Sequence, residues 1–110
     1  MNDSYDFELA FALLEKKNFD EAWKYAFPHA SAGDSNAQCL VAFLCENGLG
    51  TTLSLREAEL WLCKAAEQDN PIAWNNLGTF WAGRGEWEKS RHCYRRAVEL
   101  GFTMASPLAK

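Results

Sequence analysis

The side chains best suited to chemistry are two histidines and four cysteines. His92 is followed directly by Cys93, and Cys63 lies on the preceding predicted helix pair, so the three have the residue types of a metal site or a Cys-His nucleophile. Adjacent helical residues point about 100° apart, however, which places His92 and Cys93 poorly for one metal. No orienting third residue or oxyanion site accompanies them. We therefore predict no metal, no cofactor and no enzyme activity, and we expect His29 either to pack between helices or to be displaced by a kink at Pro28.

A glycine-rich segment from Gly48 to Thr52 is the nearest approach to a phosphate-binding loop. Such a loop needs a lysine and a preceding strand, and this segment has neither. The sequence therefore predicts a turn here.

The cysteines show no C-x-x-C spacing and lie among apolar neighbours in predicted helices. Because the acidic start MNDSYDFELAF does not resemble a secretion signal, we expect reduced core residues in a cytoplasmic protein. The four are Cys39, Cys45, Cys63 and Cys93.

Composition favours one folded, soluble domain. Hydrophobic residues make up 48% and aromatic residues 14% of the 110 positions, which excludes a disordered chain. No apolar run approaches the roughly 20 residues that cross a bilayer, so no membrane partner is expected. The net charge of −4 argues against general nucleic-acid binding. Residues 1–83 hold 5 basic and 12 acidic side chains, whereas residues 84–110 hold 6 and 3.

Apolar periodicity and capping residues predict six helices, near residues 3–16, 19–31, 35–47, 54–67, 71–83 and 86–100. The predicted apolar stripes are Leu9, Ala12 and Leu13; Ala58, Trp61, Leu62 and Ala65; and Tyr94, Ala97 and Val98. Expected capping residues are Asn18 with Glu21, Ser54 with Glu57, and Asn70 before Pro71; expected terminating glycines are Gly33, Gly48 and Gly101. Pro28 lies inside the second helix and predicts a kink or an early stop at residues 25–27.

The chain repeats itself. Similar stretches begin at Tyr5, Ala37, Ala73 and Ala105, which are 32, 36 and 32 residues apart. Such a pattern predicts stacked helix-turn-helix units and a protein that works through a surface. We place the units at about residues 5–36, 37–72 and 73–104 of a single domain, with residues 105–110 as a short tail.

Several residue strings resemble a known family. The strings are Leu77-Gly78-x-x-Trp81, Gly48-x-Gly50 and Ala58-x-x-Trp61-x-x-Lys64-Ala65-Ala66. They resemble the Sel-one-like repeat, a longer relative of the tetratricopeptide repeat (TPR), and the outer units are similar to plain TPRs. The resemblance covers roughly residues 5–104 and implies an all-α fold, a right-handed α-solenoid of three antiparallel helix pairs.

The resemblance also implies a binding surface, because the first helix of each family unit lines a concave wall. Carried over residue by residue, the inner wall holds Phe7, Glu8 and Phe11; Cys39, Leu40, Phe43 and Glu46; and Asn75, Asn76, Thr79 and Ala82. We expect the phenylalanines to supply apolar pockets for a partner peptide and the two asparagines to bond its backbone. The alternative is that some of these phenylalanines turn inward and belong to the core.

The C-terminal end offers a second candidate surface. Ala105 begins a fourth stretch that stops at Lys110, so Phe102, Met104 and Leu108 must cover the last apolar face. A second copy or a partner could cap this end, with Arg91, Arg95 and Arg96 nearby for an acidic contact. The alternative is that the tail folds back and covers this apolar face by itself.

These observations favour a bacterial, cytoplasmic adaptor that binds a protein or peptide and has no enzymatic role. Two alternatives stay open. One is a homo-oligomeric structural protein in which the ends meet, and the other is a dedicated inhibitor or immunity protein of a toxin or enzyme.

Overall fold

The computed structural model of the chain describes residues 4–102, and this range folds into six α-helices without a strand. The helices are α1 (Phe7–Glu15), α2 (Phe19–Ser31), α3 (Ser35–Asn47), α4 (Leu55–Glu67), α5 (Pro71–Ala82) and α6 (Trp87–Glu99). The predicted all-α class is confirmed, and α2 to α6 lie within one residue of the predicted bounds.

The helices pack as successive antiparallel pairs. α1 packs against α2, α3 against α4, and α5 against α6, while α2 meets α3 and α4 meets α5. α3 also contacts α5, so the first helices of the pairs lie side by side. This arrangement is an α-solenoid.

Small residues fill the layer between the helices and allow close approach. Fully buried alanines recur at matching places: Ala22 and Ala58 on the second helices, and Ala37 and Ala73 on the first helices. Gly78 shows how close the approach is, because an added Cβ there would lie 2.6 Å from the Tyr94 ring.

The first helix differs from its prediction. It begins at Phe7, because the Asp6 side chain accepts hydrogen bonds from the backbone N–H groups of Glu8 and Leu9 at 3.0 and 3.2 Å. The predicted stripe is right only in part, since Leu13 packs against the core but Leu9 is 44% exposed and Ala10 is the buried residue. Nearly every position of this helix is apolar, so periodicity alone does not select the core face.

Two of the three predicted caps form. Asn70 accepts from the N–H groups of Ile72 and Ala73, directly before Pro71. Ser54 accepts from the Glu57 N–H at 3.1 Å, although its own N–H donates to the Cys45 carbonyl and not to Glu57.

The prediction for Asn18 is wrong, because its side chain makes no capping hydrogen bond. The backbone supplies the entry to α2: Lys17 adopts a left-handed φ of 59°, and the Asn18 N–H donates to the Leu13 carbonyl. The three predicted terminating glycines all have positive φ.

Pro28 does not end its helix, so the predicted early stop is wrong. α2 continues to Ser31, and the Pro28 carbonyl accepts the Ala32 N–H at 3.0 Å. Pro28 is exposed, whereas Ala26 and Ala30 on either side of it are buried. Burial of those alanines therefore holds the helix together across the proline.

Candidate partner-binding groove

A groove of about 190 Å³ runs along the first helices of the three pairs. Its walls come from α1 and Tyr5, two residues before it, from α3, and from the first turns of α5. We call it the phenylalanine groove and define it by Tyr5, Phe7, Ala10, Phe11, Leu14, Asn36, Cys39, Leu40, Phe43, Ile72 and Asn76.

Three phenylalanine rings stand at the surface of this groove. Phe7 and Phe11 are one helical turn apart on α1, and Phe43 faces them from α3. Their exposed fractions are 54%, 53% and 44%, so none of the three is a core residue. Buried Ala10 lies between the first two and anchors α1.

Asparagines supply the polar part of the groove. Asn76 lies in its lining as predicted, but Asn75 does not. Asn36 takes that place, and its Oδ1 accepts a hydrogen bond from Asn70 Nδ2 at 2.8 Å, which fixes its amide. Asn36 and Ile72 both stand directly before a unit-heading alanine, so the repeat itself could have indicated them.

A second depression of about 280 Å³ continues from the groove along α3 and α5. Phe43 and Asn76 belong to both, and Glu46 and Thr79 extend the lining. The Thr79 hydroxyl already makes a hydrogen bond within the protein, since it lies 2.9 Å from the Tyr94 hydroxyl and joins α5 to α6. The structure thus gathers Phe7, Phe11, Phe43, Glu46, Asn76 and Thr79 along one face.

An aromatic cluster closes the N-terminal end of the groove. Tyr5 stacks on Tyr25 at 5.6 Å between ring centroids, and His29 contacts both rings at 5.6 and 5.1 Å. His29 therefore has the predicted packing role, but its ring lies against Tyr25 of its own helix and Tyr5 before α1. Burial, followed by the nearby charge of Asp34, raises the pKa of Tyr5 above its usual value.

The cysteines are free thiols, and three of the four are buried. Burial raises the pKa of Cys39 to about 12, with Asp34 as the second cause. Burial raises the pKa of Cys93 to about 11, with Cys63 as the second cause. Protonated thiols of this kind are poor nucleophiles.

The predicted C-terminal surface lies only partly within the described residues. Arg91 and Arg95 are exposed on α6, whereas Arg96 forms ion pairs with Asp69 at 3.1 Å and Glu99 at 3.3 Å. Phe102 is half-buried, and its N–H donates to the Ala97 carbonyl. Met104 and Leu108 fall outside the described residues.

Residues 4–102 offer neither a metal-binding cluster nor a membrane-spanning helix. Residues 4–102 contain no group of three or more His, Cys, Asp or Glu side chains arranged to hold a metal ion. None of the helices in this range is long and apolar enough to span a bilayer.

Comparison with known proteins gives matches in sequence and in fold. The model of the Sel1 repeat matches residues 35–70 and 88–102. The sel1-like repeat-containing protein L21 of Acanthamoeba polyphaga mimivirus is 26% identical over 73 residues, which cover 66% of this chain and 14% of that protein.

The crystal structure of a Sel1 repeat protein from Oxalobacter formigenes superposes with a TM-score of 0.67 and 30% identity, over 74% of this chain and 35% of that one. The chain thus spans a minor part of both relatives. The family model, the sequence relative and the crystal structure agree with the helix pairs described above and support a Sel1-like, TPR-like repeat protein.

Proposed function

We propose that this protein is a non-enzymatic interaction module whose phenylalanine groove binds an apolar segment of a partner protein. Sel1 repeats are generally protein-interaction modules and typically form non-enzymatic scaffolds. The observation that carries the proposal for this chain is the exposure of Phe7, Phe11 and Phe43 around one groove. Exposed aromatic rings that share a concave surface are typical of binding sites.

The lining indicates what kind of segment fits. Apolar side chains of the partner would insert between the phenylalanine rings, and the amides of Asn36 and Asn76 would bond its backbone. Glu8 and Glu15 flank Phe7 and Phe11 on the outer side of α1, and residues 1–83 carry seven more acidic than basic side chains. An apolar segment with basic flanks therefore complements the groove in both shape and charge.

The groove walls are helices held by buried alanines, so they need little reordering on binding. The aromatic cluster of Tyr5, Tyr25 and His29 fixes one end, and the Asn36–Asn70 hydrogen bond fixes the floor. A preformed site of this kind loses little conformational entropy when a partner binds.

Selection from a displayed peptide library tests the proposal. Peptides enriched on the wild-type protein should carry apolar residues with helical or extended spacing and basic flanks. Their affinity should fall about tenfold or more for Phe11→Ala with Phe43→Ala, because central aromatic residues carry most interface energy.

Leu60→Ala is the matched control, because Leu60 is 48% exposed on α4 and lies outside the groove. Circular dichroism should show that both variants keep their helices. If the selected peptides bound the double variant as tightly as the wild type, the groove proposal would be wrong. Concentration-dependent sedimentation of the wild type, abolished in the double variant, would instead assign the groove to a second copy of the chain.

A further inference from the structure

A larger cavity lies elsewhere on the molecule, between α4, α5 and α6. Its volume is about 570 Å³, and it shares no residue with the phenylalanine groove. This α4–α6 cavity is lined by Cys63, Ala66, Glu67, Trp74, Leu77, Trp81, Glu88, Lys89, His92 and Cys93. Cavities of about 300–1,000 Å³ with mostly apolar walls are typical small-molecule sites.

The repeat shows what occupies the matching place between the preceding helix pairs. The register that superimposes Ala22 on Ala58 and Ala58 on Ser90 also places Phe27 at Cys63 and Trp61 at Cys93. Phe27 and Trp61 pack edge to face across α2 and α4, with ring centroids 5.9 Å apart. Cysteines at both matching positions leave room for an aromatic ring.

On the floor of the cavity the exchange is reversed, because a larger side chain stands where the preceding unit has a smaller one. Trp74 occupies the position that matches Gln38, which donates to the Ala30 carbonyl at 3.1 Å. Trp74 Nε1–H, by contrast, is buried and has no hydrogen-bond partner among residues 4–102. A buried donor without a partner is destabilising, so a ligand that offers an acceptor would gain by pairing with it.

The charges around the cavity favour an uncharged ligand. Lys89 lies over the Trp81 ring at 4.4 Å and is paired with Glu86 at 3.6 Å, so it needs no anionic ligand and already covers the ring face that a cationic ligand would use. Glu67 and Glu88 are exposed, and they would repel an anion. Burial raises the pKa of both Cys63 and Cys93, so the thiol walls are neutral at neutral pH.

We propose that the α4–α6 cavity binds a neutral, two-ring aromatic compound whose hydrogen-bond acceptor pairs with Trp74 Nε1–H. The ring system would pack against Trp74 and Trp81 and between the Cys63 and Cys93 thiols. This site is separate from the phenylalanine groove, so the two proposals stand or fall independently.

Two probe compounds separate the contribution of ring packing from that of the hydrogen bond to Trp74. Quinoline and naphthalene have the same two-ring shape, but only quinoline carries an acceptor nitrogen. The side-chain signals of the five tryptophans in a ¹H–¹⁵N spectrum report binding, and Trp74→Phe assigns the relevant signal. Quinoline should move the Trp74 Nε1–H signal downfield and bind about two- to tenfold more tightly than naphthalene, as expected for one net hydrogen bond.

Two variants test the location. Trp74→Phe removes the donor and should reduce the affinity for quinoline to that for naphthalene. Cys63→Phe introduces the residue found at the matching position of α2, fills the cavity and should abolish binding of both probes. Leu60→Ala, which lies outside both the cavity and the phenylalanine groove, is the control and should leave both affinities unchanged.

The outcomes decide the proposal even if a variant fails to fold, because the comparison of the two probes needs only the wild type. If quinoline left the Trp74 signal in place up to its solubility limit, the proposal would fail. It would also fail if naphthalene bound as tightly as quinoline, because the acceptor nitrogen would then contribute nothing to binding.

Discussion

The two interfaces between successive helix pairs place their aromatic residues on different helices. At the first interface, where α2 meets α3 and α4, Phe27 of α2 and Trp61 of α4 form opposite walls. At the second, where α4 meets α5 and α6, cysteines stand in the walls, and Trp74 and Trp81 form the floor.

The difference separates two layers of the solenoid. The inner layer keeps the same small residues, since Ala22 and Ala58 are fully buried, as are Ala37 and Ala73. The outer layer exchanges large and small side chains without changing the helix arrangement. Close packing therefore fixes the backbone through the alanines, while the outer layer determines whether an interface is filled or contains a cavity.

Removing the wall aromatic from the first interface should have the largest effect. Trp61→Ala takes away the ring that packs against Phe27 and carries Lys64 at 4.8 Å, so the free energy of unfolding should fall by about 3 kcal/mol. Cys93→Ala, at the matching position of the second interface, should cost about 1 kcal/mol or less. Urea unfolding of both variants measures the difference, and equal losses would show that the two interfaces are equally packed.

A second exchange concerns the contact within each helix pair. Ala42 and Leu62 in α3 and α4 match Gly78 and Tyr94 in α5 and α6, so a smaller residue faces a larger one in the last pair. Gly78→Ala should lower the free energy of unfolding by about 2 kcal/mol, because the new Cβ would lie 2.6 Å from the Tyr94 ring.

Combining Gly78→Ala with Tyr94→Leu recreates the residues of the middle pair. The double variant should therefore be more stable than the sum of the single losses predicts, with a coupling of about 1–2 kcal/mol in a double-mutant cycle. Gly83→Ala is the control, since its Cβ would make only ordinary contacts at 3.6 Å. If the two losses of free energy were strictly additive, the proposed match in size between the residues at positions 78 and 94 would be wrong.

Local chemistry made most of the fold predictable from the sequence. The Asn70 cap, Pro71 at the first helical position and the left-handed Gly48 act within a few residues, so their patterns located the ends of α3 and α5. The errors arose where neighbours distant in sequence decide the outcome. Ala10 is buried in a helix that is apolar nearly all round, and burial of Ala26 and Ala30 holds α2 across Pro28.

The candidate groove was predictable in part through the family resemblance. The inner-wall positions of the resembled family placed Phe7, Phe11 and Phe43 on one face, but the choice of Asn36 over Asn75 depends on where α3 and α5 touch. The α4–α6 cavity depends on residues from three helices being small or large together, which no single stretch of sequence shows.

High pH should distinguish the thiols of the two regions. The pKa of Cys39 is about 12 and that of Cys93 about 11 in the folded protein, both above the usual value of 9.0. Unfolded thiols therefore lose their protons first, so the free energy of unfolding is unaffected below about pH 9 and falls as the pH rises above it, by about 1.4 kcal/mol per pH unit for each thiol.

Cys39→Ala should flatten this decline over a wider pH range than Cys93→Ala, because the Cys39 pKa is raised further. Urea unfolding from pH 8 to about pH 12 measures it, because the two variants should differ only above about pH 11, where the folded Cys93 thiol has lost its proton and the folded Cys39 thiol has not. An unchanged slope in Cys39→Ala would mean that its thiol titrates normally in the folded state.

The smallest effect should come from the ion pair that closes the second interface. Arg96 on α6 reaches Asp69 in the turn before α5 at 3.1 Å, whereas Gly33 stands in the matching turn of the first interface. Asp69 has a left-handed φ of 58°, a conformation that asparagine also tolerates, so Asp69→Asn removes the charge without straining the turn. Because the Asp69 side chain is 60% exposed, the loss should be about 0.5 kcal/mol and should vanish in high salt. A salt-independent loss above about 1 kcal/mol would show that the turn, and not the charge, joins α4 to α6.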